Sequence, residues 1–484
     1  MNKPLRRVAL AMMAMVLLLM GNMTYVQVIK ADEYRDDSRN TRTQLEEFSR
    51  ERGQIIASGQ SLATSQPIEN DRYKFQRNYP NGPMYAPVTG FYSFFYGSNG
   101  VERANDKILN GTDDSMAFGR LSDMITGSTP RGGSVELTIN PEMQQVAYEQ
   151  LTKKGYQGSV VALNPSTGEI LSMVNAPSYD PNLLTGPDNN QVAEQWEALN
   201  SAEGNPMANR AVSEIYPPGS TFKLITTAAA LESGYNPSSK VQDAASITLP
   251  NSSTPLPNYG GKKCSGNTLT EALAHSCNTA FAEIAGKVGA DKLRETAASF
   301  GFGQDIQMPM SVAKSDLGPM SDPAALYQSG IGQRDVRVTP MQNAMMAATI
   351  ANGGKVMKPQ VVASTKAPDM EELDSLRPEE LSQAVSPDVA GKIRDMMIKS
   401  EQNTKGSGKI TGIEIASKTG TAQHGDPGDK PHGWYVAFAP AANPTIAVAV
   451  IVENGGDEGD EATGGSLAAP IGREVIRAGL RGGG

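Results

Sequence analysis

The sequence predicts an α+β fold, an antiparallel sheet flanked by helices, and three observations point to it. Two β-rich runs, Gly158–Leu163 and 170–175, flank Asn164-Pro165-Ser166-Thr167-Gly168 and read as a hairpin. Helical patterns then fill a long stretch. β-rich runs return only at 413–421, 434–438 and 445–452, before a last helical pattern over 467–480. Strands at both ends of a segment with helices between them place one sheet against a helical cluster.

Taken in order, the chain opens with Lys3, Arg6 and Arg7 and then an apolar run over 8–29, wholly apolar to Met20 and lightly interrupted by Gly21, Asn22, Thr24 and Gln27. About 20 apolar residues span a bilayer. The positive charges hold residues 1–7 in the cytoplasm, so the remainder is expected outside, anchored by one transmembrane helix. No small-x-small site follows the run, which favours an uncleaved anchor over a signal peptide. Residues 31–138 are polar, uneven and rich in Gly, Pro and Asn, with aromatics at Phe91, Tyr92, Phe94, Phe95 and Tyr96. They read as a membrane-proximal, non-catalytic pedestal whose small core is that aromatic cluster. The second domain, 139–484, begins where Asn140-Pro141 leads into a helix carrying Met143, Val146, Ala147 and Leu151.

A length of 484 residues suits two or three domains, and the net charge of -9 argues against nucleic acid as a partner. With three histidines and two cysteines, no structural zinc, other metal or cofactor is expected. Export permits a disulfide between Cys264 and Cys277, worth about 3 kcal/mol on the loop-entropy account; the alternative is two buried free thiols.

The chemistry centres on Tyr216-Pro217-Pro218-Gly219-Ser220-Thr221-Phe222-Lys223. Pro217, Pro218 and Gly219 interrupt regular structure, and 220–233 then reads as a helix closed by Gly234, with Pro237 beyond. Residues three apart share a helix face, so Lys223 is expected to reach the Ser220 hydroxyl. The helix is apolar on most sides, and a desolvated amine with a lowered pKa can serve a serine nucleophile as its base. Alone, Ser-x-x-Lys is equally a helix start with a surface lysine. Two further motifs follow. Ser276-Cys277-Asn278 lies between the helix opened by the capping box Thr268-Leu269-Thr270-Glu271 and a second helix through Phe281, and that loop can present Ser276 and Asn278 together. Lys418-Thr419-Gly420-Thr421 falls on a strand, where Gly420 lets a ligand backbone approach. A strand edge beside a helix N-terminus makes an acyl-transfer site, with the backbone N–H groups of Ser220 and Thr421 as oxyanion donors.

Ser220-Thr221-Phe222-Lys223, Ser276-Cys277-Asn278 and Lys418-Thr419-Gly420, in that order, resemble the three-motif signature of penicillin-binding proteins and serine β-lactamases. The run Asn164 to Leu171, Asn209-Arg210-Ala211, and Gly330-Ile331-Gly332-Gln333 through Thr339-Pro340-Met341-Gln342 are similar to penicillin-binding transpeptidase domains. Arg52-Gly53-Gln54-Ile55 and Gly100-Val101-Glu102 resemble the membrane-proximal module of class B members, and the likeness is greatest to their short actinobacterial type. The resemblance implies a peptidoglycan D,D-transpeptidase of the cell membrane, acting in wall synthesis and division and inhibited by β-lactams. Ser220 would attack the penultimate D-Ala carbonyl of a D-Ala-D-Ala stem peptide, Lys223 would be the base, and Ser276 would pass a proton to the leaving amine. Asn278 would hold the substrate amide, while Lys418, Thr419, Gly420 and Thr421 would bind its carboxylate end. No glycosyltransferase domain fits before residue 138, so a separate membrane glycosyltransferase and divisome or elongation proteins are the implied partners. The alternatives are a D,D-carboxypeptidase, a β-lactamase, or a non-enzymatic β-lactam sensor or division scaffold. Glu197-Ala198-Leu199-Asn200 resembles the deacylating motif of β-lactamases but precedes the nucleophile, so rapid β-lactam turnover is not expected. Gly406-Ser407-Gly408-Lys409 lacks the flanking residues of a phosphate loop, and His275 beside Ser276 is not needed as a base.

Overall fold

Helix α1 (Lys3–Thr24) continues as a π-helical turn over Tyr25–Ile29, and none of its residues is buried. Its 27 residues are long and apolar enough to cross a membrane. The computed structural model describes residues 3–30, 34, 48–70, 73–119, 125, 131–425 and 428–481, so parts of the expected 31–138 pedestal lie outside the described residues.

Strands β1 (Ile55–Ala57), β2 (Gln60–Pro67), β3 (Phe75–Asn78) and β4 (Ser134–Leu137) belong to one sheet in which β1 and β4 run parallel. Its centre is a buried ionic cluster. Arg52 Nε and Arg77 Nε donate to the two oxygens of Glu102 at 2.7 and 2.6 Å, and Tyr79 OH adds a third bond at 3.0 Å. Burial pushes the Glu102 carboxyl up, but Arg77 and Arg52 together outweigh it and hold the group below its usual range. The motifs Arg52-Gly53-Gln54-Ile55 and Gly100-Val101-Glu102, far apart in sequence, meet in this cluster.

The catalytic-region sheet begins with α2 (Pro141–Thr152), capped by Asn140 Oδ1 on the N–H groups of Glu142 and Met143, and with β5 (Gly158–Leu163) and β6 (Ile170–Ala176). Helices follow: α3 (Asn189–Ser201), α4 (Lys223–Glu232), α5 (Leu269–Ala274), α6 (Asn278–Val288) and α7 (Pro340–Ala351). Next, β7 (Val362–Lys366) and β8 (Glu372–Ser375) leave this region and complete the first sheet, in the order β8-β7-β4-β1-β2-β3. This first sheet is thus finished by residues that follow Ser220 by more than a hundred positions. Helix α8 (Pro387–Asn403) returns the chain to the second sheet, where β9 (Ala416–Ala422), β10 (His432–Ala439) and β11 (Ile446–Val452) lie in the order β9-β10-β11-β5-β6, all antiparallel, before α9 (Ala468–Arg481). Both faces of this sheet are covered, which the period of two shows directly: Ala447, Ala449 and Ile451 join the core containing α4 and α7, while Val448, Val450 and Val452 pack with Met143, Leu151, Val475 and Ile476 of α2 and α9. The predicted strands and last helix are all present, with Gly158–Leu163 matched at both ends and no end shifted by more than three residues.

The aromatic cluster does not form a single pedestal core. Tyr92 and Phe94 pack on Phe48 at 4.9 and 4.1 Å, whereas Tyr96 stacks on Trp196 of α3 at 4.2 Å and Phe91 meets Tyr179 and Trp196 edge-on. The stretch is a hairpin, Tyr92–Ser93 against Gly97–Ser98, so neighbouring rings face different partners, and two of the five, Phe91 and Tyr96, dock onto the catalytic region. Buried Gln144 ties the same two parts through Met84 O at 2.8 Å and Met173 O at 2.9 Å.

Glu102→Ala would strand two buried arginines, and a broken buried ion pair typically costs about 3–5 kcal/mol. Urea unfolding of the detergent-solubilised chain is expected to show a loss of that size.

Candidate active site

Ser220 stands in a turn held from three sides. Tyr216 N–H and C=O pair with Val338 at 2.9 and 2.8 Å, Gly219 N donates to Gly332 O at 2.9 Å, and the Trp434 indole donates to Pro217 O at 3.0 Å. The Tyr216 hydroxyl donates at 2.8 Å to Glu453, which also accepts from Arg210 Nε at 3.0 Å. Gly219 has φ 52°, and a Cβ on it would lie 2.7 Å from Thr421 O; a Cβ on Gly332 would lie 2.1 Å from Gly219 O. These approaches explain the glycines of two motifs. The helix predicted over 220–233 starts with a 3₁₀ turn, Gly219–Phe222, and becomes α-helical at Lys223. Ser220 is therefore in the first turn, where backbone N–H groups lack helical partners.

Every residue from Thr221 to Leu231 is buried, Lys223 included. Its amine does not bond Ser220, as the shared helix face had suggested. Instead it donates to Ser276 O and Asn278 Oδ1, each at 2.7 Å, and lies 3.3 Å from Ser276 Oγ. The loop after α5 supplies these oxygens because Ser276 adopts φ 58°, a left-handed conformation that costs a non-glycine residue about 1–3 kcal/mol. Next to it Cys277, at the N-cap of α6, is bridged to Cys264 with the Cα atoms 5.6 Å apart. Asn278 Nδ2 donates to Pro257 O at 3.0 Å on the solvent side.

Lys418, buried on β9, donates to Ser276 Oγ at 2.9 Å and to Thr419 O at 2.8 Å. One hydroxyl thus lies between two amines. Burial, and then the neighbouring Lys418, hold Lys223 well below the usual lysine range; burial alone brings Lys418 down to about 7. The repulsion between the two amines favours loss of a proton from Lys223. Gly420 faces the nucleophile's turn, where a Cβ would lie 2.9 Å from Pro218 O, so the clearance it supplies is to the protein's own backbone. Thr419 and Thr421 alternate with Lys418 and Gly420 and are part-exposed. β9 is the outer strand of its sheet, with one edge open.

The remaining sequence features stay apart. His275 is exposed and pairs with Glu271 at 3.4 Å, and Glu197 sits on the exposed side of α3. The loop 405–409 points the carbonyls of Lys405, Gly406 and Ser407 at Arg473 Nη1, the opposite polarity to a phosphate cradle. Glu401, Arg473, Tyr435 and Glu453 carry no signal in the sequence. Each is a buried or half-buried polar residue whose partner lies on another element, and no local motif marks such a pairing.

A serine opening a helix, two buried lysines sharing the hydroxyl of a Ser-x-Asn loop, and a five-stranded sheet with a lysine on its edge strand define the penicillin-recognising acyltransferase class. Residues 158–477 match the penicillin binding protein transpeptidase domain, and 52–135 match the penicillin binding protein A dimerisation domain; the chain belongs to the class B penicillin-binding proteins. It is 52% identical over 490 residues, 99% of each chain, to the peptidoglycan D,D-transpeptidase PbpA of Mycolicibacterium smegmatis. Identity to the Mycobacterium tuberculosis H37Rv protein of that name is 50% over 491 residues, covering both chains entirely. The ceftriaxone acyl-enzyme of M. tuberculosis penicillin-binding protein A superposes with a TM-score of 0.88 at 49% identity, over 90% of this chain and 100% of that one.

Replacing Cys264 and Cys277 by serine is expected to lower stability by about 3 kcal/mol on the loop-entropy account. Calorimetry would show the loss, and non-reducing peptide maps of the parent protein would show the linked pair.

Proposed function

We propose that this chain is a peptidoglycan D,D-transpeptidase, and the observation that carries the reading is the pair of buried amines on either side of the Ser276 hydroxyl, beside Ser220. The Ser220 hydroxyl attacks the carbonyl of the penultimate D-Ala and its proton passes to the neutral Lys223 amine. Negative charge on the carbonyl oxygen is met by the backbone N–H groups of Ser220 and Thr421. Ser276, in contact with both amines, hands the proton on to the departing D-Ala nitrogen, leaving an ester on Ser220. An amine of a neighbouring stem then attacks that ester, which forms the cross-link and frees the serine.

Lys418, with Thr419 and Thr421 beside it on the open edge, meets the terminal carboxylate of the substrate, and the anion favours its charged form. Asn278 does two jobs in this scheme: its oxygen orients Lys223, and its Nδ2, now on Pro257 O, turns to the substrate amide. A β-lactam carries the same carboxylate and a reactive carbonyl, so it acylates the same serine. Residues 8–29 anchor the chain with 1–7 in the cytoplasm, 31–138 form the pedestal and 139–484 the transpeptidase domain, beside glycan polymerised by a separate membrane glycosyltransferase.

Intact-mass analysis after penicillin treatment is expected to show one adduct, absent from Ser220→Ala. With polymerised precursor, the parent chain should release D-Ala and form cross-linked dimers. Free tetrapeptide without dimers would mean a carboxypeptidase, fast β-lactam turnover a lactamase, and an adduct without peptide chemistry a sensor or scaffold.

The two lysines also set a pH dependence. The second-order acylation rate should fall on the acid side as Lys223 takes a proton, and on the alkaline side as Lys418, at about 7 before ligand binds, loses its own. Lys418→Ala should abolish the alkaline limb and weaken binding, whereas Lys223→Ala should slow acylation about 10²–10⁴-fold. Stopped-flow measurements across pH distinguish them, and a parent rate still climbing at pH well above the Lys418 value would contradict the assignment.

A further inference from the structure

β9 is an edge strand. It is hydrogen-bonded along one side only, to β10, yet its Lys418 must hold a fixed place relative to Ser276 and Ser220. A second constraint arrives from behind the sheet. Glu401, in the last turn of α8, accepts hydrogen bonds from Ser417 Oγ, one residue before Lys418, and from Tyr435 OH at 3.1 Å. Tyr435 stands opposite Thr419 in the β9–β10 register, so the carboxylate grips both strands at the motif. Its other oxygen takes Arg473 Nε of α9 at 2.8 Å. Arg473 in turn holds Gly406 O and Ser407 O at 2.9 Å, just beyond the C-terminus of α8, so the carboxylate is itself fixed. All four side chains are buried. Two residues earlier on α8, Lys399 pairs with Glu271 of α5, the helix that leads into Ser276. That pair is half-exposed and contributes little energy, but it shows α8 touching both halves of the site.

We propose that Glu401 is a positioning residue for substrate recognition: through Ser417 it sets the height and tilt of β9, and so the reach of Lys418 towards the ligand carboxylate. The inference rests on the reading of Lys418 as the carboxylate-binding group. Charge-assisted hydrogen bonds to a carboxylate are short and strong, and a buried one on an edge strand resists the sliding and peeling that an edge otherwise allows. Displacements of about 1 Å in a positioning shell can cost up to a hundredfold in rate.

Removing Glu401 would leave Arg473 buried without its partner and endanger the fold. The clean variant is Ser417→Ala, which cuts the link to the strand and leaves Glu401 with Tyr435 and Arg473. Stopped-flow acylation of the full detergent-solubilised chain by benzylpenicillin separates the dissociation constant of the initial complex from the limiting acylation rate. Ser417→Ala is expected to raise the dissociation constant about tenfold, within the range of such positioning effects, while the limiting rate and melting temperature change little. Ser417→Thr, which retains the hydroxyl, should recover most of the loss. In a Lys418→Ala background, Ser417→Ala should add nothing, because the group it positions is gone. An unchanged dissociation constant, or the same loss in both backgrounds, would overturn the proposal while Ser220 acylation of the parent chain still stood. An unacylated parent chain would instead remove the functional reading beneath it.

Discussion

Two amines are buried around one hydroxyl, and among the described residues no carboxylate pairs with either. That imbalance is the constraint on which the site depends. A chain of net charge -9 has acids to spare, yet among the described residues the hydrogen bonds of Lys223 and Lys418 go to carbonyl, amide and hydroxyl oxygens. A carboxylate partner would hold Lys223 protonated and end its use as a base. Burial without a counter-ion has the reverse effect, and with the repulsion between the two lysines it lowers the pKa of Lys223; in the proposed scheme one amine is neutral and the other is charged once an anion arrives. In the proposed mechanism the substrate carboxylate is the missing counter-ion, so recognition and the tuning of the base share one electrostatic cause.

Keeping such groups in place demands a scaffold that is stiff near the site. The nucleophile's turn is pinned by Trp434 from β10, by Val338 and Gly332 ahead of α7, and through Tyr216 by the Glu453–Arg210 pair. The Ser276 loop is clamped by the Cys264–Cys277 bridge and by Asn258, whose oxygen takes Thr279 N at 3.0 Å. Both devices fix backbone rather than side chains. The strained φ of Ser276 is tolerated because its neighbours on either side are held.

Much of this was legible in sequence because the signals are local. Ser220 and Lys223, the Ser276 loop and the Lys418 strand each announce themselves within four residues, and the antiparallel sheet follows from alternating or continuous apolar runs whose ends need only turn chemistry. The misses share a physical origin. Lys223 turns to Ser276 because oxygens from a loop some fifty residues on present better acceptors than the neighbouring hydroxyl, which helix geometry alone cannot reveal. Gly420 reads as room for a ligand until the turn of Ser220 is packed against it. The aromatic cluster splits because a two-residue hairpin alternates its faces, and β7 and β8 leave the catalytic region for a sheet begun three hundred residues earlier. Long-range partners such as Glu401 and Arg473 carry no periodicity and no motif, so only the fold brings them together.

The fate of the acyl-enzyme follows from the same charge pattern. Hydrolysis needs a base aimed at a water beside the ester, and among the described residues the exposed Glu197 of α3 makes no hydrogen bond to Ser220, Lys223, Ser276 or Lys418. What the site does offer is an open strand edge and a buried amine of lowered pKa that, in the proposed scheme, takes a proton from an attacking nucleophile. An amine is a far better nucleophile than water, and on the proposed reading of α1 as an anchor the chain would work beside glycan strands that carry many such amines at high effective concentration. In the proposed scheme the anchor supplies the acceptor, and the want of a carboxylate beside the site among the described residues gives water no advantage while the ester waits.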